Sequence, residues 1–379
     1  MKKCLLLILL LFPICVKAEN LSLAEKAKSA IMIEASTGEI LYEKNSHEKL
    51  PPASMTKMMS MLLIIENIED GKLKWNDMVT ASVKASSMGG SQIFLEAGEK
   101  MSVEDLLKGI AIGSGNDATM ALAEKIAGSE DKFVELMNNR AKDLELKNTN
   151  FKNPTGLDAE NHYSSAYDMA MIDKELVKHK KILEFTSIYE DYLRQNTSNK
   201  FWLVNTNRLV RFYQGVDGLK TGFTSEAGYC LTSTAKKNGL RLITVVMNEP
   251  DSTTRNNETT AMLDYGFNSY SVDNLIRSDK SVGKIEIELG DERSVDVIPV
   301  QDINILNNNN KGKRNVSYNI KLNKIKAPVK RGTVVGQINV VENNKIILKV
   351  DLTVKNDIKK VNIGKAFIRN VEDIIKGVS

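Results

Sequence analysis

The sequence predicts an α+β protein: a mixed sheet with a cluster of helices, then a small all-β domain, then a C-terminal amphipathic helix. Three observations lead there. A short hairpin pattern is followed by a long block of helical periodicity and then by three strand-like runs, the order expected of one sheet with its helices grouped together. From about residue 271 the period falls to two, in short runs parted by Asn- and Gly-rich turns. At the end, Ile363, Phe367, Val371, Ile374, Ile375 and Val378 recur at steps of three and four, with Lys365, Arg369 and Lys376 between them. These breaks divide the chain into a leader (1–18), a first domain (19–270), a β-rich domain (271–358) and a terminal helix (359–379).

The leader has the pattern of an export signal. Lys2 and Lys3 give a basic start, Leu5 to Phe12 an apolar run, and Val16-Lys17-Ala18 a small-residue cleavage pattern. The run is too short to span a bilayer, which takes about 20 residues. Lipid attachment at Cys15 is disfavoured by the bulky Ile14 before it. Cleavage after Ala18 would leave residues 19–379 outside the cytoplasm.

The elements of the first domain follow in order. Residues 30–34 and 40–43 alternate around the turn Ser36-Thr37-Gly38-Glu39 and predict a hairpin. Residues 54–69 predict a helix that is apolar nearly all round (Met55, Met58, Met59, Met61, Leu62, Leu63, Ile64, Ile65), hence central and buried, and stopped by Gly71. Ser102 caps another helix, with Asp105 three residues on. Further helices are predicted over 116–127, 131–144 and 165–178. Strands are predicted over 218–224, 228–235 and 240–247, the last two joined through an Asn238-Gly239 turn. A helix over 253–265 ends at Gly266. In the β-rich region, strands are predicted over 284–289, 295–300, 316–322, 334–341 and 345–354. The terminal stripe fits either a helix docked on its own domain or one lying on a membrane surface.

The formal net charge of the chain is +4, and Lys2, Lys3 and Lys17 belong to the leader, so the rest is close to neutral. Nothing in that balance points to nucleic acid. Cys4 and Cys15 also lie in the leader, which leaves Cys230 alone, in an apolar run, as a buried structural thiol. There is no His-Glu-x-x-His string and no cysteine pair, so neither a metal nor a cofactor is expected.

Three short strings carry the chemistry: Ser54-Met55-Thr56-Lys57, Ser114-Gly115-Asn116 and Lys220-Thr221-Gly222. A serine hydroxyl is a poor nucleophile until something takes its proton. Lys57 lies one helical turn beyond Ser54, and burial among methionines would lower its pKa enough to make it a base. A serine at a helix start sits beside backbone amides that can hold an oxyanion. The second string adds a hydroxyl and an amide at a glycine turn, and the third a strand whose lysine and threonine can hold an anion. A Ser-His-Asp triad through His162 would leave the Lys57 and Lys220 strings unexplained.

These strings resemble the penicillin-recognising serine acyl-transferases, and among them the low-molecular-mass penicillin-binding proteins that are D-alanyl-D-alanine carboxypeptidases. Pro52-Ala53-Ser54-Met55-Thr56-Lys57, Ser114-Gly115-Asn116-Asp117-Ala118, Asn153-Pro154-x-Gly156-Leu157, His162-Tyr163-Ser164-Ser165-Ala166 and Asp217-Gly218-x-Lys220-Thr221-Gly222 all match that pattern. So do Arg255 with Leu263-Asp264-Tyr265-Gly266-Phe267, and Ala327-Pro328-Val329 in the β-rich region. The resemblance implies a β-lactamase/transpeptidase-like catalytic domain. It implies Ser54 as nucleophile, Lys57 as its base, and Ser114, close to Lys57 and Lys220, as proton relay. Asn116 would orient the substrate amide. Lys220, Thr221 and Arg255, with Gly222 beside them, would bind the terminal carboxylate. The backbone amides of Ser54 and Phe223 would form the oxyanion hole. The implied substrate is a peptidoglycan stem peptide ending in D-Ala-D-Ala, and β-lactams would be covalent inhibitors.

Two positions depart from the pattern. Phe223 stands where many relatives carry histidine, and Gly115 where the β-lactamase version has aspartate; the second favours the carboxypeptidase branch. The alternatives are a serine β-lactamase, for which Glu190-Asp191-Tyr192-Leu193 is a faint match to the deacylating loop, and a catalytically idle cell-wall binding protein. Endopeptidase action on cross-links would use the same residues.

Overall fold

The computed structural model describes residues 21–376, so the expected leader lies outside the described residues. The first domain is built on five strands: β1 (Ser29–Glu34), β2 (Ile40–Lys44), β3 (Val216–Thr224), β4 (Gly228–Lys237) and β5 (Leu240–Glu249), in the order β2-β1-β5-β4-β3. The sheet expected to be mixed is antiparallel at every pairing. Tight turns join β1 to β2 and β3 to β4 to β5, and such turns admit only antiparallel neighbours. The helical block between β2 and β3 then carries the chain to the far edge.

Period-two alternation sends the two faces of this sheet into different cores. On one face Ile31, Ile33, Ile243 and Val245 pack on the helical cluster. That cluster contains α1 (Lys57–Glu69), α2 (Val103–Gly113), α3 (Asn116–Ala127) and α4 (Ala166–Leu176). On the other face Met32, Leu231, Leu242 and Val246 pack on Met262 and Leu263 of α5 (Ser252–Ser269). Every residue of α1 from Lys57 to Ile65 is buried, in keeping with its unbroken apolar run.

The helix predicted from Ser54 begins as a 3-10 turn, Ala53–Thr56, and becomes α-helical at Lys57. Gly266 does not end α5, as the sequence suggested. It lies inside the helix, where an added Cβ would stand 2.5 Å from Leu242 Cδ1 and 2.9 Å from Met32 Sδ, so it is a packing residue against the sheet.

Three small strand pairs were missed: Met78–Thr80 with Lys100–Ser102, Glu190–Leu193 with Phe201–Val204, and Tyr270–Ile276 with Ile303–Asn308. The last pair opens the β-rich region directly after α5. There a six-stranded sheet encloses a separate core that includes Val297, Val335, Ile338, Leu352 and Val354. Arg314 ties the two regions together, its guanidinium donating to Glu39 of the first and Glu342 of the second. The terminal helix α6 (Ile363–Lys376) follows.

Candidate active site

Ser54, the candidate nucleophile, sits on a tightly confined turn. Ala53 has a left-handed backbone (φ +46°), uncommon for a residue with a Cβ and of the kind that collects at functional sites. Two glycines let other segments close on this turn. A Cβ at Gly156 would meet Ala53 O at 1.8 Å, and one at Gly222 would meet Pro52 O at 2.8 Å and Ser54 N at 3.2 Å. The close approach at Gly222 brings β3 against the turn that carries Ser54.

Lys57 is fully buried. Its Nζ donates to Ser54 Oγ at 3.0 Å and to the carbonyl of Thr155 at 2.6 Å. Desolvation pushes its pKa well below 10.5, the positive Lys220 lowers it further, and Asp117 opposes the shift. The Thr155 carbonyl is itself held in place. Asn153 Oδ1 accepts from Thr155 N (3.1 Å), Thr155 Oγ1 (3.0 Å) and Gly156 N (2.7 Å), while Ser60 Oγ donates to Pro154 O at 2.7 Å. His162 is part of this support and not of a triad. Its Nδ1 accepts from Lys152 N–H at 3.0 Å, which places the ring proton on Nε2, 2.8 Å from Thr56 Oγ1. Burial lowers its pKa to about 4.

Ser114 and Gly115 form the whole connection between α2 and α3. Ser114 is also left-handed (φ +63°) and lines the same cleft as Ser54. It hydrogen-bonds to neither Lys57 nor Lys220 among the described residues; what it shares is the cleft, with Ser54 and Thr221. Asn116 Nδ2 donates to Gly89 O at 2.7 Å, and its N–H to Ser91 O at 2.7 Å. Its Oδ1 is buried with no partner among the described residues, though Asn116 does not itself line the cleft. The buried Asp117 carboxylate accepts from the amides of Ile93 and Leu95, pinning the loop that carries Ser91 to the cleft.

Opposite stands β3. Lys220 is fully buried; its Nζ donates to Thr221 O at 3.0 Å and Thr206 Oγ1 at 3.4 Å. Desolvation and the nearby Arg255 lower its pKa to about 7. Thr221 Oγ1 donates to Thr206 Oγ1 at 2.7 Å. Arg255, in the first turn of α5, leans on Asn256 Oδ1 and lines the cleft with Thr221 and Phe223. The Phe223 ring is half exposed, with its centroid 4.3 Å from that of Tyr229. Cys230, paired with Gly222 across β3 and β4, is buried, and desolvation raises its thiol to about 12.

The cleft holds about 580 Å³ and is lined by serines, threonines, asparagines and arginines, with no aspartate or glutamate among the described residues. Glu190 and Asp191, the faint β-lactamase match, do not line the cleft themselves, although Glu190 pairs with the cleft-lining Val204; Asp191 pairs with Lys108 at 2.9 Å. The sequence reading gave no role to Asn153, although it stands in a string that matches the family pattern, and it missed the Thr155 carbonyl, Thr206 and Arg208. The last two belong to no short catalytic string, and a carbonyl leaves no trace in residue type.

A serine hydroxyl held by a buried lysine in the lining of a polar cleft is the arrangement of a serine acyl-transferase. The chain belongs to the D-alanyl-D-alanine carboxypeptidase family, whose sequence profile matches residues 16–251; the penicillin-binding protein 5 C-terminal domain matches residues 270–360. It is 49% identical to the D-alanyl-D-alanine carboxypeptidase DacF of Bacillus subtilis, over 93% of this chain and 91% of that one. Penicillin-binding protein 5 from Haemophilus influenzae superposes with a TM-score of 0.69 at 33% identity, covering 88% of this chain and 98% of the other. Penicillin-binding protein D2 from Listeria monocytogenes, solved in an ampicillin-bound form, gives 0.55 at 31% identity, over 64% and 98%.

Proposed function

We propose that the protein removes the terminal D-alanine from peptidoglycan stem peptides ending in D-alanyl-D-alanine, and that β-lactams acylate the same serine. The observation that carries this is the buried Lys57 amine 3.0 Å from Ser54 Oγ, a hydroxyl that lines one cleft with Thr221 and Arg255, while Lys220 is buried beside Thr221.

Neutral Lys57 takes the Ser54 proton as Oγ attacks the carbonyl of the penultimate D-alanine. The amides of Ser54 and Phe223 hold the resulting oxyanion. Asn116 Oδ1 accepts from the substrate amide. Lys220, Thr221 and Arg255 hold the terminal carboxylate, which gives the requirement for a free C-terminus. As the peptide bond breaks, Ser114 passes a proton to the departing D-alanine. Water then attacks the ester, Lys57 again taking a proton, and the shortened peptide leaves. The absence of a carboxylate from the cleft lining, among the described residues, favours this over rapid β-lactam hydrolysis. D-alanine release from N-acylated lysyl-D-alanyl-D-alanine tests the reading: wild type should release it and Ser54→Ala should not. Absence of release from wild type would point to an idle binding protein.

The setting follows from the leader and the tail. The chain is exported, works outside the cytoplasm, and rests on the outer face of the cytoplasmic membrane through α6. Two features support this. Ile363, Phe367 and Ile368 are exposed (89%, 69% and 59%), while Lys365 Nζ and Arg369 donate to the backbone carbonyls of Asp291 and Gly290. No described helix is long and apolar enough to cross a membrane.

A further inference from the structure

We propose that Arg208 selects among substrates by a second carboxylate, carried on the acyl side of the scissile bond. The inference rests on the carboxypeptidase reading above. Arg208 lines the cleft with Ser54, Ser114, Thr221 and Arg255. Its side chain is exposed and, among the described residues, has no ion pair, hydrogen bond or ring as partner. Other arginines of this domain are engaged: Arg140 with Glu66, Arg194 with Glu99, Arg241 with Asp217. Here the lining offers no acid at all.

The backbone that carries Arg208 is fixed. Asn207 Nδ2 donates to Gly218 O at 3.0 Å, and Leu209 N–H returns to Asn207 Oδ1 at 3.1 Å, both buried. One residue further back, Thr206 joins Lys220 and Thr221. A free guanidinium is therefore held at the wall of the cleft by the same segment that braces the carboxylate-binding strand. A departing D-alanine has a single carboxylate, which the proposed reaction assigns to Lys220, Thr221 and Arg255. An anion for Arg208 must come from the part of the peptide that remains on Ser54. The chemistry that fits is a free carboxylate on the residue before D-alanyl-D-alanine, as a diamino dicarboxylic acid would supply. Amidation of that carboxylate removes the contact.

The test compares kcat/KM for D-alanine release from three peptides with wild type, Arg208→Gln and Arg208→Lys. One peptide bears a free side-chain carboxylate on the third residue from the C-terminus, one its carboxamide, and one a free carboxylate only on the residue before that. Wild type should prefer the first over the second by about three- to fivefold at low salt, the range of an exposed ion pair, through KM, and less at high salt. Arg208→Gln should bring the ratio near one and Arg208→Lys restore part of it. Preference for the third peptide would shift the contact one residue upstream and contradict the assignment. An unchanged ratio in Arg208→Gln, or a uniform loss on all peptides, would overturn it. Release from none of them by wild type would instead bring down the carboxypeptidase reading itself.

Discussion

In the proposed reaction the two buried lysines have opposite duties. Lys57 must be neutral to take a proton, so acylation should rise with pH through a midpoint far below the ordinary lysine value. Lys220 must be charged to hold a carboxylate, and with its pKa near 7 that charge is lost as pH rises. The expected profile is a kcat/KM that falls above about pH 7 through KM. A bound carboxylate raises the Lys220 pKa, so the fall in kcat comes at higher pH; coincident limbs would contradict this. Lys57 also depends on Asn153, which fixes the Thr155 carbonyl that accepts from its amine. Asn153→Ala should slow acylation by benzylpenicillin about tenfold, the order of one lost buried hydrogen bond, and Asn153→Asp, which keeps the acceptor, should recover part of it. Stopped-flow acylation rates would decide. Ser54, Lys57, Ser114, Asn116 and Lys220 could be nominated from sequence because each stands in a short string. Asn153 stands in such a string too, but its support of the Thr155 carbonyl, like the place of Arg208, depends on what the fold brings near it.

Among the elements, α1 and α4 show how polar groups are kept inside an apolar cluster. Residues 57–65 of α1 are buried and apolar except for Lys57 and Ser60, and both of those are hydrogen-bonded to the 153–156 loop. In α4, Asp173 is fully buried, accepts from Thr232 Oγ1 of β4, and leaves Oδ1 without a partner among the described residues. Desolvation raises its pKa to about 8, above its unfolded value. The folded state then holds a proton the unfolded chain gives up, so this contribution is full at low pH and lost as pH rises through 8. Asp173→Asn cannot ionise, and its Tm advantage over wild type should grow from pH 5 to pH 9; a constant difference would contradict the assignment. Helix and strand periods were readable here, but the role of Gly266 was not. In sequence it reads as a stop signal, and only the contact with Met32 and Leu242 makes it an interior residue.

For the molecule as a whole, the sheet, the helical cluster and the β-rich region followed from changes of period along the chain. The antiparallel order did not, because strand direction depends on where long connections return. The tail is where the sequence left two readings even, and its exposed Ile363, Phe367 and Ile368 support the membrane surface. Truncation after Ile363 should release the protein from membranes with D-alanine release intact, while unchanged membrane fractionation would reject that role. The central claim is that Ser54, activated by a neutral Lys57, forms an ester with the ligand. Intact mass after incubation with benzylpenicillin tests it most directly. Wild type should carry one stable adduct, and Ser54→Ala, folded by circular dichroism, should carry none. An adduct that persists in Ser54→Ala, or a wild type that never acquires one, would contradict the account.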